Sequence, residues 1–481
     1  MARVSIRPVI IRRSEHPISR KWISRNALFV LYRLKESGHL AYLVGGGVRD
    51  LLLGREPKDF DIATDATPNE VKKIFRNCRL IGRRFRLAHI HFPNDIIEVA
   101  TFRALVDSLP EEETAVPEAP PAEPSPAPAA EAPLPEGQAP APVPKPRPPR
   151  MLKSEDGMIL RDNVWGDAEQ DALRRDFTVN ALFYNIADYS VIDYAGGMED
   201  IRRGLIRLIG DPVARFTEDP VRMVRAVRFA AMLGFEIEER TYQALVELRD
   251  RVGLANASRM YEEVQKLFLL GEGEKTFQML RKTGLFGVIF PRFNEWLDTE
   301  SGGFPRVRAG KAFEWVDNCV QSGRKVPQHT FFALLFGQYL EERAAGLREG
   351  GMHPLPAMEQ AIAEFLAETT PRVQVPRKVM LTVRDILWSQ HRFEKREGKK
   401  PLYFLRRQEF ADAFEYLQFN EWVTGENAEL VRWWKKLAKE HPPEPRAERP
   451  VKKEPGKERG RPQRRRRRRG PRRAEAQKPK P

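Results

Sequence analysis

Asp59 and Asp61 stand one residue apart in KDFDIAT, where polar and apolar residues alternate as they do along a β-strand. Residues i and i+2 of a strand share a face. The two carboxylates are therefore expected side by side, with Phe60 and Ile62 turned to the core. Two such charges repel unless a cation lies between them. Mg²⁺ suits oxygen ligands of this kind and also binds substrate phosphates. Paired ions can clamp both the attacking and the leaving oxygen of an in-line phosphoryl displacement. A little upstream, AYLVGGGVRD closes an apolar run with three glycines. Lacking a Cβ, Gly45 and Gly46 let backbone N–H groups approach a triphosphate closely. The start of the next helix adds positive potential there, and Arg49 offers a charged fork to the same phosphates. This order, strand, glycine turn, helix, strand with D-x-D, is neither GxGxxG nor GxxxxGK[ST], both of which are absent.

Two further segments carry candidate chemistry. RRDFTVNAL contains Arg174, Arg175 and Asp176, and EDPVRMVRAVRFAAMLGF runs from Glu218 to Phe235. In the second, Asp219 is expected to cap a helix that has Pro220 in its first turn. Arg222 and Arg225 share one face of that helix, while Met223, Val224 and Val227 face the core. An aspartate offers acceptors and an arginine donors, enough to read the amino group and ring nitrogen of adenine without a template. GGGVRD followed by DFD, then RRDFTVNAL, then EDPVRMVRAVRF, is similar to the motif series of the class II nucleotidyltransferases of the DNA polymerase beta superfamily. That group holds the tRNA CCA-adding enzymes and the bacterial poly(A) polymerases. The resemblance covers roughly residues 25–235. It implies Asp59 and Asp61 as metal-binding catalytic residues, Asp176 as a third carboxylate, Arg175 at the triphosphate or ribose, and Asp219 and Arg222 as readers of the base, with Arg225 close by. Glu98, on IIEVATF, competes with Asp176 for the third place. LIGRRFRLAHI, with Arg83, Arg84 and Arg86, resembles the segment typical of the poly(A) polymerases rather than of the CCA-adding enzymes.

These residues need a scaffold. Arg25–Ser37 has leucines at helical spacing; AYLV reads as a buried strand; RDLLLG reads as a helix stopped by Gly54; Thr67-Pro68 reads as a helix start; and IHFPNDIIEVATFR reads as two short strands. From Ile201 the pattern is almost wholly helical. The expected class is α+β: a small head with a mixed sheet and flanking helices, then an all-α neck and body. The expected divisions are a basic N-terminal extension (1–24), a nucleotidyltransferase head (25–200), a helical neck for nucleotide recognition and RNA binding (201–290), a helical body (291–440) and an Arg-rich tail (441–481). A Pro/Ala-rich stretch (107–150) interrupts the head, and its prolines cannot supply sheet donors. The tail carries six consecutive arginines, Arg464 to Arg469, and no apolar face to bury. It is expected to be disordered until it meets an anion.

The 481-residue chain carries 82 Lys and Arg against 67 Asp and Glu, a net charge of +15, which points to a polyanionic partner. Its two cysteines, Cys78 and Cys319, match no zinc or disulfide spacing and fit a reducing cytoplasm. No apolar run is long enough to span a bilayer. The expectation is a cytoplasmic adenylyltransferase that adds AMP from ATP to RNA 3′ ends with release of pyrophosphate. Mg²⁺ is the expected cofactor, and the helical body and Arg-rich tail are expected to hold the RNA. The alternatives are a tRNA CCA- or A-adding enzyme and a non-catalytic RNA-binding protein.

Overall fold

The structure, a computed structural model, describes residues 8–82, 86–104, 152–153, 159–161, 165–301 and 304–442. The chain enters through strand β1 (Val9–Ile11) and helix α1 (Arg25–Glu36). Ser24 caps α1 by accepting the Ala27 N–H at 3.1 Å, and Ala27, Val30, Leu31 and Leu34 form its buried face. Strand β2 (Ala41–Val44) is buried along its whole length and leads into helix α2 (Gly46–Leu52). Strand β3 (Asp61–Thr64) is followed by helix α3 (Pro68–Ile74). At the start of α3, Glu70 accepts the Thr67 N–H at 2.8 Å in a capping box, with Pro68 in the first turn. Strands β4 (Cys78–Ile81), β5 (Leu87–Phe92) and β6 (Asp95–Thr101) follow. A two-stranded piece comes next, β7 (Leu152–Lys153) with β8 (Ile159–Arg161). Helix α4 (Ala168–Leu173), strand β9 (Leu182–Asn185) and strand β10 (Val191–Asp193) complete the head.

Among the described residues, eight strands form one sheet in the order β1-β10-β9-β2-β3-β6-β5-β4. β3 and β6 pair in parallel and every other pair is antiparallel, so the sheet is mixed, as expected. The segment expected as a basic N-terminal extension thus contributes β1, which pairs with β10 as an edge strand. One face of the sheet packs on α1–α3 through Leu43, Ile62 and Val99; the other gathers Tyr42, Val44, Ala63, Phe102 and Phe183. The Pro/Ala-rich stretch, Arg83, Arg84 and the Arg-rich tail lie outside the described residues. The elements on either side of that stretch do meet. Arg103 bridges antiparallel to Trp165, and the Gly166 N–H donates to the Phe102 carbonyl at 3.0 Å.

Beyond β10 come helices α5 (Gly197–Arg203), α6 (Pro212–Glu218), α7 (Val221–Leu233), α8 (Glu239–Leu248) and α9 (Ala257–Phe268). Helices then continue to the last, Ala428–Glu440. The long core of this part runs from Phe177 and α7 through Phe313, Phe331 and Phe365 to Phe419. A separate aromatic core of Phe393, Phe404, Phe410 and Trp434 closes the C-terminal end. Two local expectations change. KDFDIAT becomes strand only from Asp61, so Asp59 and Phe60 precede β3. Helix α7 starts at Val221 with Pro220 at its N-cap, and Asp219 instead ends α6. The Asp219 carboxylate is taken by Arg259, so it does not cap α7.

Candidate active site

The register of the sheet builds the acidic centre. Asp61 is paired with Val44 of β2 on one side and with Glu98 of β6 on the other, and Glu98 is paired with His89 of β5. Directly paired residues project to the same face, so Asp61, Glu98 and His89 form one row. His89 Nε2 reaches Glu98 Oε1 at 3.3 Å. The glycines bring the β2–α2 turn against this row. Gly45 has φ +71° and ψ −140°, a conformation that side chains rarely adopt. A Cβ placed there would lie 3.4 Å from Arg175 Nη1 and 3.8 Å from Asp61 Oδ2. A Cβ on Gly47 would lie 3.3 Å from the Asp59 carbonyl oxygen. Glycine therefore lets the backbone turn run alongside both aspartates. Gly46 and Gly47 themselves form the first turn of α2.

Replacing Gly45 by alanine is expected to cost about 1–3 kcal/mol of stability through its positive φ. The thermal midpoint should fall by roughly 2–12 °C, and ATP use should weaken as the turn beside Arg175 and Asp61 shifts. An unchanged midpoint would show that the turn relaxes to an ordinary conformation.

Asp59 and Asp61 both keep contact with solvent. Desolvation by the surrounding cleft, followed by repulsion from Glu98 and from Asp59, outweighs the attraction of Arg175 and pushes the Asp61 carboxyl up to about 6. Unrelieved repulsion of this sort is what a bound cation removes. Among the described residues, no three or more His, Cys, Asp or Glu side chains converge tightly enough to enclose a metal ion. Mg²⁺ needs no such cage, because it keeps several waters and takes one or two carboxylates plus substrate phosphates. The open carboxylate row fits an ion of that class.

The arginines divide. Arg175 lies beside both Gly45 and Asp61, anchored on Asp171 at 2.9 Å and lying over the Phe183 ring at 5.1 Å. Arg49, expected at the phosphates, is only 3% exposed and is spent internally. It donates to Asn180 Oδ1 at 2.6 Å and to Asp50 Oδ1 at 2.7 Å, and it lies over Phe229. A buried guanidinium needs such partners, and here they tie α2 to the segment after Asp176. Arg174 sits in a cluster of like charges. Burial first, then repulsion from Arg103, Arg215, Arg222 and Arg175, hold its guanidinium well below the usual range. Neither Arg103 nor Arg215 belongs to a motif that singled it out; a buried charge cluster of this kind emerges only in three dimensions.

Asp176 is not part of the acidic row. Its Oδ2 accepts from Arg225 Nε at 2.8 Å, and its Oδ1 accepts from the Phe177 N–H at 2.9 Å and from Asn180 Nδ2 at 3.3 Å. Although burial alone would raise it, the Arg225 charge and these hydrogen bonds bring the carboxyl down to about 2. The expected third carboxylate is thus committed to an ion pair, and Glu98 stands next to Asp61 instead. Arg225 likewise serves Asp176 and, at 3.6 Å, Glu263, rather than presenting a free fork. Arg222 donates to the Arg215 carbonyl at 2.8 Å and to Glu218 at 3.2 Å. Asp219 is held by both Arg259 terminal nitrogens at 3.1 and 3.0 Å. Arg259, at the start of α9, stands 40 residues from Asp219 and belongs to no motif that pointed to it.

Three family models match: "Poly A polymerase head domain" over residues 41–207, "Probable RNA and SrmB-binding site of polymerase A" over 234–297, and "Polymerase A arginine-rich C-terminus" over 350–473. Poly(A) polymerase I of Salmonella typhimurium is 40% identical over 440 residues, spanning 90% of this chain and 87% of that protein. A CCA-adding enzyme of Bacillus velezensis is 32% identical over 281 residues, spanning 58% and 59%. Among solved structures, the Bacillus stearothermophilus CCA-adding enzyme in complex with CTP superposes with a TM-score of 0.53 at 25% identity, covering 86% of this chain and 80% of that one. The acidic row beside its glycine turn, set in a sequence alike over nine-tenths of its length, places this chain in the bacterial poly(A) polymerase family of nucleotidyltransferases.

Proposed function

We propose that the acidic row is the catalytic centre of RNA 3′-end adenylation, with Glu98 in the place first given to Asp176. The chain is a template-independent adenylyltransferase. The RNA 3′-oxygen bonds to the α-phosphorus of ATP, the bond to the β-phosphate bridging oxygen breaks, and pyrophosphate leaves. The hydroxyl proton passes to water. Asp59, Asp61 and Glu98 are the residues that would hold Mg²⁺. That ion, when bound, would acidify the attacking hydroxyl and neutralise charge at the α-phosphate. Arg175 steadies the triphosphate against the Gly45–Gly46 backbone. Asp219 and Arg222 read the adenine, with Arg259 releasing or sharing Asp219 as they do so. Arg49, Arg225 and Asp176 position these groups without touching the substrate. The RNA lies against the helical part and the Arg-rich tail, and a cytoplasmic site of action fits. Among the described residues, no helix is long and apolar enough to cross a membrane.

One observation carries the reading: the parallel register that sets Asp61 opposite Glu98, in a chain 40% identical to poly(A) polymerases. The test is nucleotide choice. Incubated with an unstructured RNA and each nucleoside triphosphate in turn, the protein should give a long ladder with ATP and little with CTP, GTP or UTP. Extension confined to tRNA lacking its terminus, with CTP consumed, would transfer the assignment to the CCA-adding enzymes.

A further inference from the structure

The short helix Lys400–Leu405 packs Phe404 inward against Phe393, Phe410 and Trp434. The next ring along, Tyr403, points the other way and is 66% exposed. It borders a cleft of about 320 Å³ together with His391, Arg392, Lys395, Lys400 and Arg407. Residues 390–408 contain seven Lys and Arg against two Glu, a net charge of +5. Arg407 and Arg396 have carboxylate partners, in Glu409 at 3.1 Å and Glu429 at 3.6 Å. Lys395 and Lys400 are exposed and have no carboxylate within ion-pair distance among the described residues. A wet aromatic face flanked by unpaired cations is the composition of a single-strand platform: a base stacks on the ring while its phosphates meet the charges. A chain of the poly(A) polymerase family meets single-stranded RNA in its reaction, which favours that occupant over a membrane surface or an acidic peptide.

We propose that this cleft binds one segment of single-stranded RNA, one base stacked on Tyr403 and the neighbouring phosphates held by Lys395 and Lys400. The subsite holds RNA upstream of the growing 3′ end, and in that sense it rests on the adenylyltransferase reading. It is separate from residues 234–297, where the RNA-binding family model matches.

The test uses the full chain with oligoadenylates of roughly 6 and roughly 30 nucleotides, lengths near the short end of the single-strand site range and well above it. Binding is read by fluorescence anisotropy without ATP, and AMP incorporation is read on the short primer at saturation. Tyr403→Ala should weaken binding of the long strand by roughly 5- to 150-fold, the range for loss of one stacked base, and Tyr403→Phe should restore it. Replacing Lys395 and Lys400 by serine should reduce the log–log salt slope by about 1.4, about 0.7 for each phosphate contact. Incorporation on the short primer should be unchanged. Long-strand binding within twofold of wild type in Tyr403→Ala would overturn the proposal. So would equal losses with duplex RNA, which would mark a general polyanion patch, or an equal loss on the short primer, which would mark a disturbed fold. A wild-type protein that adds no AMP would instead defeat the adenylyltransferase reading, while the anisotropy result would still decide the subsite.

Discussion

Asp61→Asn is expected to lower AMP incorporation by about 10³-fold while leaving RNA affinity within about twofold. A hard divalent cation stabilises transition-state charge by several kcal/mol, and each 1.36 kcal/mol is tenfold in rate. Asparagine keeps the shape of the side chain but gives up the charge that holds such an ion. Asp59 cannot stand in, because it precedes the strand, whereas Asp61 is fixed by pairing with Val44 and Glu98 on either side. The substitution should not weaken the fold. Asp61 is an acid whose carboxyl is pushed up to about 6 in the folded chain, so at neutral pH its ionised form is disfavoured by folding and its neutralisation relieves that repulsion. The thermal midpoint of the metal-free protein should therefore hold or rise as activity disappears. Single-turnover incorporation of labelled AMP, anisotropy with oligoadenylate and a melting curve measure the three quantities. A variant that keeps more than about a tenth of wild-type incorporation would remove Asp61 from the metal site, since loss of that charge should cost at least 1.36 kcal/mol in the transition state.

The parts of the site visible in the sequence are those set by local pattern. Alternation located Ile62 in the core and Asp61 on the strand, but it also put Asp59 there, and the strand begins only at Asp61. Proline and a capping threonine located α3, and helical spacing put Met223, Val224 and Val227 in the core. The three glycines announced a special backbone, and Gly45 adopts one. What spacing does not encode is which distant group each charge meets. Arg49 looked like a phosphate fork until its neighbour across the fold proved to be Asn180, 131 residues away. Asp219 looked like a cap, yet Arg259 claims it from another helix. The resemblance implied Asp176 as a ligand, whereas its partner is Arg225, 49 residues on. The choice between Glu98 and Asp176 was open in the sequence for the same reason. The β3–β6 pairing is parallel, and a parallel register is not fixed by a hairpin turn.

That choice gives the second large effect. Glu98→Gln is expected to reduce AMP incorporation by about 10²-fold or more, in line with the loss of a metal-side carboxylate, and to leave the melting midpoint nearly unchanged, because Glu98 is partly exposed and, among the described residues, its one ion-pair partner is His89. Asp176→Asn is expected to do the reverse. The folded carboxyl lies at about 2, below its ordinary value of 3.8. An acid depressed in this way adds stability that is complete above the unfolded value and is lost as pH falls toward the folded one. Its worth is about 2 kcal/mol, less than a fully broken buried pair costs, because Arg225 keeps Glu263. Asp176→Asn should therefore lose roughly 2 kcal/mol at pH 7 and flatten the fall in stability between about pH 4 and pH 2, while incorporation at low temperature stays within about tenfold of wild type, since the metal-side carboxylates are intact. Urea unfolding across that pH range and incorporation at matched fraction folded test both variants. If Asp176→Asn silences a folded enzyme while Glu98→Gln does not, the nucleotide must pull Asp176 away from Arg225, and the acidic row is completed from the segment between α4 and β9 instead of from β6.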